Sequence, residues 1–357
     1  VQANQKNGKP LINWHSDRLK ERYGEHVWRL GIDAGFSCPH RSLDRLKGGC
    51  RFCAPDGNIA AYQKTASSVP TVAQQIERAL VFTRRRYRAK AFFLYFQAYS
   101  CTNAPVKALS AIYDNAIDAF WTALEKITRQ EGDGMNFAQE EPRTAAMVTQ
   151  SRTDISANPS PLKGIVVSTR PDCFDSEKAA LLASYRERGM EVWVELGLQS
   201  AHEETLSFIR RGHGVKEFLD AMEIAGKAQL RRAVHLMLGL PGESHSMMLE
   251  TARIVADTGT EGVKFHDFRI AKGSAFARAF QCGEITAMHP ARLPGLLADC
   301  LEILPPSTEI IRISADFRSE ETINIHVPFD KHHLARLVED ELRRRSSCQG
   351  QRFDASP

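Results

Sequence analysis

Six short runs of apolar, β-branched and aromatic residues recur along the chain, and between them lie stretches with helical periodicity. The runs fall at 26–32 (HVWRLGI), 91–96 (AFFLYF), 164–169 (GIVVST), 191–198 (EVWVELGL), 233–240 (AVHLMLGL) and 262–268 (GVKFHDF); EIIRIS at 309–314 is a candidate seventh. Segments 72–86, 106–129, 176–188, 215–228 and 247–258 read as helices, and Gly189 offers a C-cap directly after the third. Strands that alternate with helices form a parallel sheet through right-handed crossovers. Strands that are apolar nearly throughout need cover on both faces. The expected fold is α/β, a partial (β/α)6 TIM-like barrel with a C-terminal extension; a doubly wound open sheet is the alternative.

The expected organisation is an N-terminal segment over 1–25, a barrel over 26–290, an extension over 291–345 and a disordered tail over 346–357. One stretch breaks the rhythm: 130–163 is polar, rich in Pro, Ser and Asn, and has no sustained period, which reads as a flexible insertion. No run of 18 uncharged apolar residues predicts a membrane span, and VQANQKNGKP at the start has no apolar signal-peptide core. The 47 basic residues against 43 acidic ones are too even to mark a nucleic-acid binder by themselves, although RRRYRAK (84–90), RRGH (210–213) and LRRRSS (342–347) are local basic clusters.

Eight cysteines in 357 residues do not make a disulfide scaffold, so a reduced, cytoplasmic protein is expected. Five of them, Cys101, Cys173, Cys282, Cys300 and Cys348, are scattered singly. The other three are crowded into CPHRSLDRLKGGCRFC, as Cys38, Cys50 and Cys53. Three thiolates hold a structural zinc only with a fourth ligand from elsewhere, and His40 is awkwardly close to Cys38 for that part. They also suit a [4Fe–4S] cluster with one iron left open. The C-x-x-C spacing alone favours neither metal. Gly48 and Gly49 would let the backbone wrap closely around either.

In parallel barrels the chemistry sits at the carboxyl ends of the strands. Those ends carry Cys38 after the first strand, Gln97 and Tyr99 after the second, Arg170 and Asp172 after the third, Gln199 and Ser200 after the fourth, Gly239 and Pro241 at the fifth, and Lys272 after the sixth. Glu195 stands in an otherwise apolar strand and needs a buried partner, with Arg170 and Lys264 as candidates. Cys101 and Cys173 sit near strand ends, where either a reactive thiol or a small buried hydrophobe would fit.

The cysteine loop after the first strand, closing on an aromatic residue in CRFC, resembles that of the radical SAM superfamily. GFSCP, GGCRFC, YFQAYS, TRPDC, EVWVELGLQSAHEETL, RRGH, HLMLGLPGE and KGS resemble, in the same order, the motifs of its YhcC/YtqA-like branch, which is related to the Elongator-type proteins. The widened C-x11-C-x2-C spacing is also that branch's. Two departures stand out: HRSLD replaces the usual sequence after the first cysteine, and 130–163 is extra. The resemblance implies a radical SAM barrel in which Cys38, Cys50 and Cys53 ligate a [4Fe–4S] cluster. The open iron chelates S-adenosyl-L-methionine, whose reductive cleavage yields a 5′-deoxyadenosyl radical. It implies that Phe52, Gln97, Tyr99, Ser168, Glu195, Gln199, Arg211, His235 and Gly239 surround the cofactor, with Gln199 toward the ribose and Arg211 toward the carboxylate. Phe52, Tyr99 and His235 equally suit core packing, Arg211 a solvated surface and Gly239 a plain turn.

Three function classes follow. The first is a radical SAM enzyme that modifies a tRNA wobble uridine, with a reducing donor such as flavodoxin or ferredoxin and with the basic clusters on phosphates. The second acts on a small metabolite or a protein. The third is a zinc-bearing nucleic-acid binding module, which leaves ELGLQS, RRGH and GLPGE unexplained.

Overall fold

The computed structural model describes residues 10–42, 48–53, 70–130, 160–315, 321–323 and 329–354. Among them, seven strands form one sheet, parallel throughout and in sequential order: β1 (Val27–Ile32), β2 (Ala91–Phe96), β3 (Leu162–Thr169), β4 (Glu191–Gln199), β5 (Arg231–Leu238), β6 (Gly262–Asp267) and β7 (Glu309–Arg312). The order makes a half-barrel whose two edges are β1 and β7. The expected six strands are thus joined by the candidate seventh, which pairs with β6 from Gly262↔Glu309 onward. The segment read as an extension therefore continues the sheet.

The helices start where side chains satisfy their first N–H groups. Thr71 and Gln74 form a capping box at α2 (Val72–Tyr87), Asp175 caps α4 (Ser176–Glu187), and Ser244 caps α7 (His245–Asp257). Gly189, at φ +81°, ends the turn after α4 as expected. The main apolar core lies between these helices and the sheet's outer face, where Leu94, Val194, Leu196, Val234 and Phe265 alternate outward. The inner face holds a smaller cluster built on Phe93, Tyr95, Val166 and Trp193.

Helix α1 (His15–Tyr23) plugs the end of the half-barrel where the strands begin. Arg22 donates to Glu191 at the start of β4 (2.6 Å) and to Glu309 at the start of β7 (2.9 Å), and Tyr23 donates to Glu191 (2.7 Å). The segment before the barrel is thus part of it, at least from residue 10.

Two boundaries differ from the sequence reading. The stretch taken as an insertion begins in helix α3 (Val106–Gln130) and ends inside β3, which starts at Leu162; residues 131–159 lie outside the described residues. The tail expected to be disordered is anchored through residue 354. Buried Gln349 accepts from Asn13 N–H (2.9 Å) and donates from Nε2 to the carbonyls of Pro305 and Thr308 (2.8 Å each). A polar side chain that satisfies three backbone groups gives no periodic signal, which is why the tail looked unstructured. Gln349→Ala is expected to cost about 1–3 kcal/mol, because those groups stay buried without partners; thermal unfolding measures it.

Candidate active site

Beyond β1, the backbone of Asp33 is gripped by buried Gln75 of α2, which accepts from Asp33 N–H and donates to Asp33 O (2.8 Å each). The cysteine loop starts from this fixed point. It closes on itself where Gly49 N–H donates to His40 O (2.9 Å) and Gly48 bridges to Arg41. Gly48 has φ +79°, and a Cβ there would stand 2.4 Å from His40 O, so the turn requires glycine. The C-x-x-C end is stitched to the ends of two short mouth helices: Arg51 N–H donates to Ile209 O (2.9 Å) and Phe276 N–H to Arg51 O (3.2 Å).

All three thiols of the trio are free. Cys50 and Cys53 line a pocket of about 200 Å³, together with Arg41, Arg51, Arg210 and Ser274. Cys50 Sγ lies 3.5 Å from Arg211 Nη1 and 3.6 Å from His40 Nε2, and Cys38 Sγ lies 3.5 Å from Ser100 Oγ. A hydrogen bond from Cys53 lowers the Cys50 pKa well below that of a free thiol; burial opposes this, and the Arg211 charge adds to it. The same bond, with burial and the charges of Cys50 and Cys38, raises Cys53.

This donor set fits an iron–sulfur cluster. Soft thiolates are the ligands such a cluster takes. Cations stand beside the most acidic of them, and His40, within the loop, has a buried Nδ1 that meets no hydrogen-bond partner among the described residues. Among the described residues, no group of three or more His, Cys, Asp or Glu side chains closes around a single metal ion.

The residues expected around the cofactor divide into two sets. At the mouth, Gln97 is half-buried just past β2, and Tyr99 holds φ +63° with its ring under the Arg41 guanidinium (5.5 Å). Gln199 ends β4 at φ +78°, where the ladder to β5 slips a residue. Arg211 is buried, not solvated: it donates from Nε and Nη2 to Gly197 O (3.2 and 2.6 Å), which ties the bulge to the cysteine loop. Gly239, at φ +83°, sits against Met288, which a Cβ would approach to 3.0 Å. Phe52 packs on the apolar mouth cluster of Leu206, Ile209, Phe268 and Phe276.

Glu195 and His235 form the second set, deeper in the barrel, with Ser168 paired to Glu195 in register. The Glu195 carboxylate is fully buried and already filled: Arg29 donates to Oε1 (2.5 Å), and Tyr95 OH (2.7 Å), His235 Nε2 (2.9 Å) and Lys264 Nζ (2.8 Å) meet Oε2. Glu195 and His235, expected around the cofactor, thus pair with each other in this deeper layer. Of the two partners expected for Glu195, Lys264 is one. Arg170 instead makes a bidentate pair with Asp172 (2.8 and 2.7 Å) and donates to Arg211 O.

Sequence reasoning missed Ser100, Arg29, Tyr95 and His266. Arg29 and Lys264 did leave a trace, as charged residues at inward-facing positions of apolar strands. Cys173 is buried with its pKa pushed up to about 11, chiefly by burial, and Cys101 donates to Ala98 O (3.3 Å), so both behave as packed thiols.

Residues 113–255 match the family described as the Radical SAM superfamily, and residues 260–344 match the Radical_SAM C-terminal domain. The chain is 32% identical over 308 residues to Protein YhcC of Escherichia coli (strain K12), covering 86% of this chain and 84% of that one. Over 157 residues it is 27% identical to the tRNA uridine(34) acetyltransferase of Dehalococcoides mccartyi (strain CBDB1), covering 43% of this chain and 33% of that one. Among solved structures, Elp3 of the archaeon Methanocaldococcus infernus superposes with a TM-score of 0.60 at 18% identity, covering 78% of this chain and 60% of that one.

Proposed function

The chain belongs to the radical SAM superfamily, alongside YhcC, and we propose from that premise that it modifies the side chain of a tRNA wobble uridine. It is a radical SAM enzyme whose cofactors are a [4Fe–4S] cluster and S-adenosylmethionine, which removes the zinc-module reading. When bound, these cofactors supply a reductive cleavage that yields methionine and a 5′-deoxyadenosyl radical able to take hydrogen from an unactivated carbon.

The chain's own part is to bind, orient and exclude water. Cys38, Cys50 and Cys53 are the ligands for three irons. Gln97, Tyr99, Gln199 and Arg211 are the candidates to position S-adenosylmethionine at the strand ends, and Phe52 and Gly239 to border its adenine. Arg211 links the two tasks, because it grips both the β4 bulge and Cys50. A low-potential donor of the flavodoxin or ferredoxin kind would supply the electron. The free cysteines support a reducing, cytoplasmic setting, and among the described residues no helix is long and apolar enough to cross a membrane.

The observation that carries the RNA reading is the arginine rim of the cysteine pocket. Arg41, Arg51 and Arg210 stand around it, and the Arg51 guanidinium lies over the rings of Phe208 and Phe276 (4.7 Å to each). A nucleotide must leave its stack to reach a radical inside a barrel, and a single-stranded loop allows this cheaply. The likeness to a tRNA uridine(34) acetyltransferase adds support.

Two basic runs first assigned to phosphates lie differently. Residues 84–90 close α2 and lead into the first residue of β2, at the barrel end opposite the cysteines. Arg343, Arg344 and Arg345 are engaged by Glu339, Asp340, Glu341 and Asp299. The rim is the basic group that adjoins the cysteine pocket, and we assign it to the phosphates nearest the site.

Reconstituted enzyme is expected to form more 5′-deoxyadenosine with bulk tRNA than without it. That gain should fall steeply with salt and be smaller in Arg51→Gln and Arg210→Gln. Nucleosides of tRNA from cells with and without the protein should differ at the wobble uridine. An unchanged profile together with no tRNA-dependent 5′-deoxyadenosine would favour a small-molecule or protein substrate.

A further inference from the structure

Two nitrogen-bearing side chains face the Cys50 sulfur, and only one of them has a task so far. Arg211 Nη1 lies 3.5 Å from Sγ and its other nitrogens hold the β4 bulge. His40 Nε2 lies 3.6 Å from the same sulfur. The backbone of His40 is pinned in its turn: Arg41 N–H donates to Cys38 O (3.0 Å) and Gly49 N–H to His40 O (2.9 Å). The ring lies against Gly212, at φ +76°, where a Cβ would stand 3.4 Å from Nδ1. On Nε2 it also meets Arg170 Nη1 at 3.4 Å.

These surroundings fix where the ring carries its proton. A neutral imidazole has one N–H and one lone pair. Nδ1 is buried and meets no hydrogen-bond partner among the described residues. An orphaned buried N–H is rarer in proteins than an unmatched acceptor, so the lone pair belongs on Nδ1 and the proton on Nε2. The two neighbours of Nε2 make opposite demands: a guanidinium only donates, and a metal-bound thiolate only accepts. Arg170 already has acceptors, both oxygens of Asp172 (2.8 and 2.7 Å) and Arg211 O. The Nε2–H is therefore left to the sulfur.

We propose that His40 donates its Nε2–H to Cys50 when that thiolate ligates the cluster, and that this hydrogen bond raises the cluster's reduction potential. The inference rests on the reading that Cys50 is a cluster ligand, and not on what the substrate is. Hydrogen bonds to the sulfurs are among the factors that set such a potential. Reduction brings in one electron from the low-potential donor and makes the sulfurs more negative. A donor aimed at one of them favours that more negative state, because hydrogen bonds to a charged acceptor are the stronger ones.

His40 acts through Cys50, so it is a positioning residue and not a catalytic one. Partners of this kind, one step out from the metal, orient its ligands and tune it. Among the described residues, the hydrogen-bond contacts of His40 run to Cys50, Arg170 and Gly49, none of them a residue expected around S-adenosylmethionine. The effect of removing the imidazole is therefore read on the cluster itself, before any cofactor is added.

The test is an anaerobic redox titration of the reconstituted enzyme, without S-adenosylmethionine, followed by EPR. His40→Leu is expected to hold iron and sulfide as the wild type does, with its one-electron reduction made about tenfold less favourable, a shift of about 59 mV to more negative potential. His40→Gln, whose side-chain amide brings an N–H toward the same sulfur, should recover most of that shift. Pulsed EPR of reduced enzyme carrying nitrogen-labelled histidine should show a histidine nitrogen weakly coupled to the cluster, and His40→Gln should lose it. That measurement decides the matter if His40→Leu fails to hold a cluster. An unchanged potential in a cluster-loaded His40→Leu, equal shifts in the leucine and glutamine variants, or no histidine coupling in the wild type would each overturn the proposal while leaving the cluster assignment standing. A wild type that holds no cluster would overturn both, so the two readings fail distinguishably.

Discussion

Replacing Cys38, Cys50 or Cys53 with alanine, one at a time, is expected to abolish the visible absorption of the cluster and reduce 5′-deoxyadenosine formation to background. The effect should be all-or-none, because a cluster on three thiolates has no spare protein ligand when one is removed. Of the other thiols, Cys173 is held protonated by burial, which pushes its pKa up to about 11. Cys282→Ser and Cys348→Ser, at exposed and half-buried positions, should keep both absorption and product. Anaerobic purification followed by absorption spectra and product analysis decides it. Retention of the cluster in any single variant of the trio would contradict the assignment of that residue.

Glu195→Ala is expected to cost about 3–5 kcal/mol of stability, because it strands buried cations rather than merely removing a contact. Burial by itself would raise the Glu195 pKa, but the charges of Lys264 and Arg29 and the hydrogen bond with His235 hold it well below the carboxylate range. A folded-state value depressed in this way contributes stability that is present above the unfolded carboxyl pKa and is lost as pH falls through the folded one. Thermal unfolding across pH should show the wild type losing that margin in acid and Glu195→Ala lacking it already at neutral pH. A variant as stable as wild type at neutral pH would remove Glu195 from the centre of the network.

The barrel was legible because its signals are local. An apolar run such as AFFLYF at β2 and a capped amphipathic helix such as α2 each announce themselves within twenty residues. The cysteine trio was legible for the same reason. The layer around Glu195 was not, because its partners come from far away: Arg29 is 166 residues distant, Tyr95 100 and Lys264 69. Glu195 showed that a partner was needed, and only the register of five strands showed which ones. The role of Arg211 was half legible. Its place twelve residues after Gln199 marked it, but its hold on Gly197 O depends on a β-bulge that no spacing reveals. The place of the basic run at 84–90 was not legible, because charge alone carries no address. Only the direction of α2 against the sheet places it away from the cysteines.

The central claim is that three thiols on the loop after β1 make this chain a radical SAM enzyme, and metal content with turnover in one anaerobic preparation tests it most directly. The account predicts about four irons and four sulfides per chain, with 5′-deoxyadenosine and methionine formed together when a strong reductant and S-adenosylmethionine are supplied. Stoichiometric zinc without iron, or a full cluster that yields no 5′-deoxyadenosine under those conditions, would contradict it.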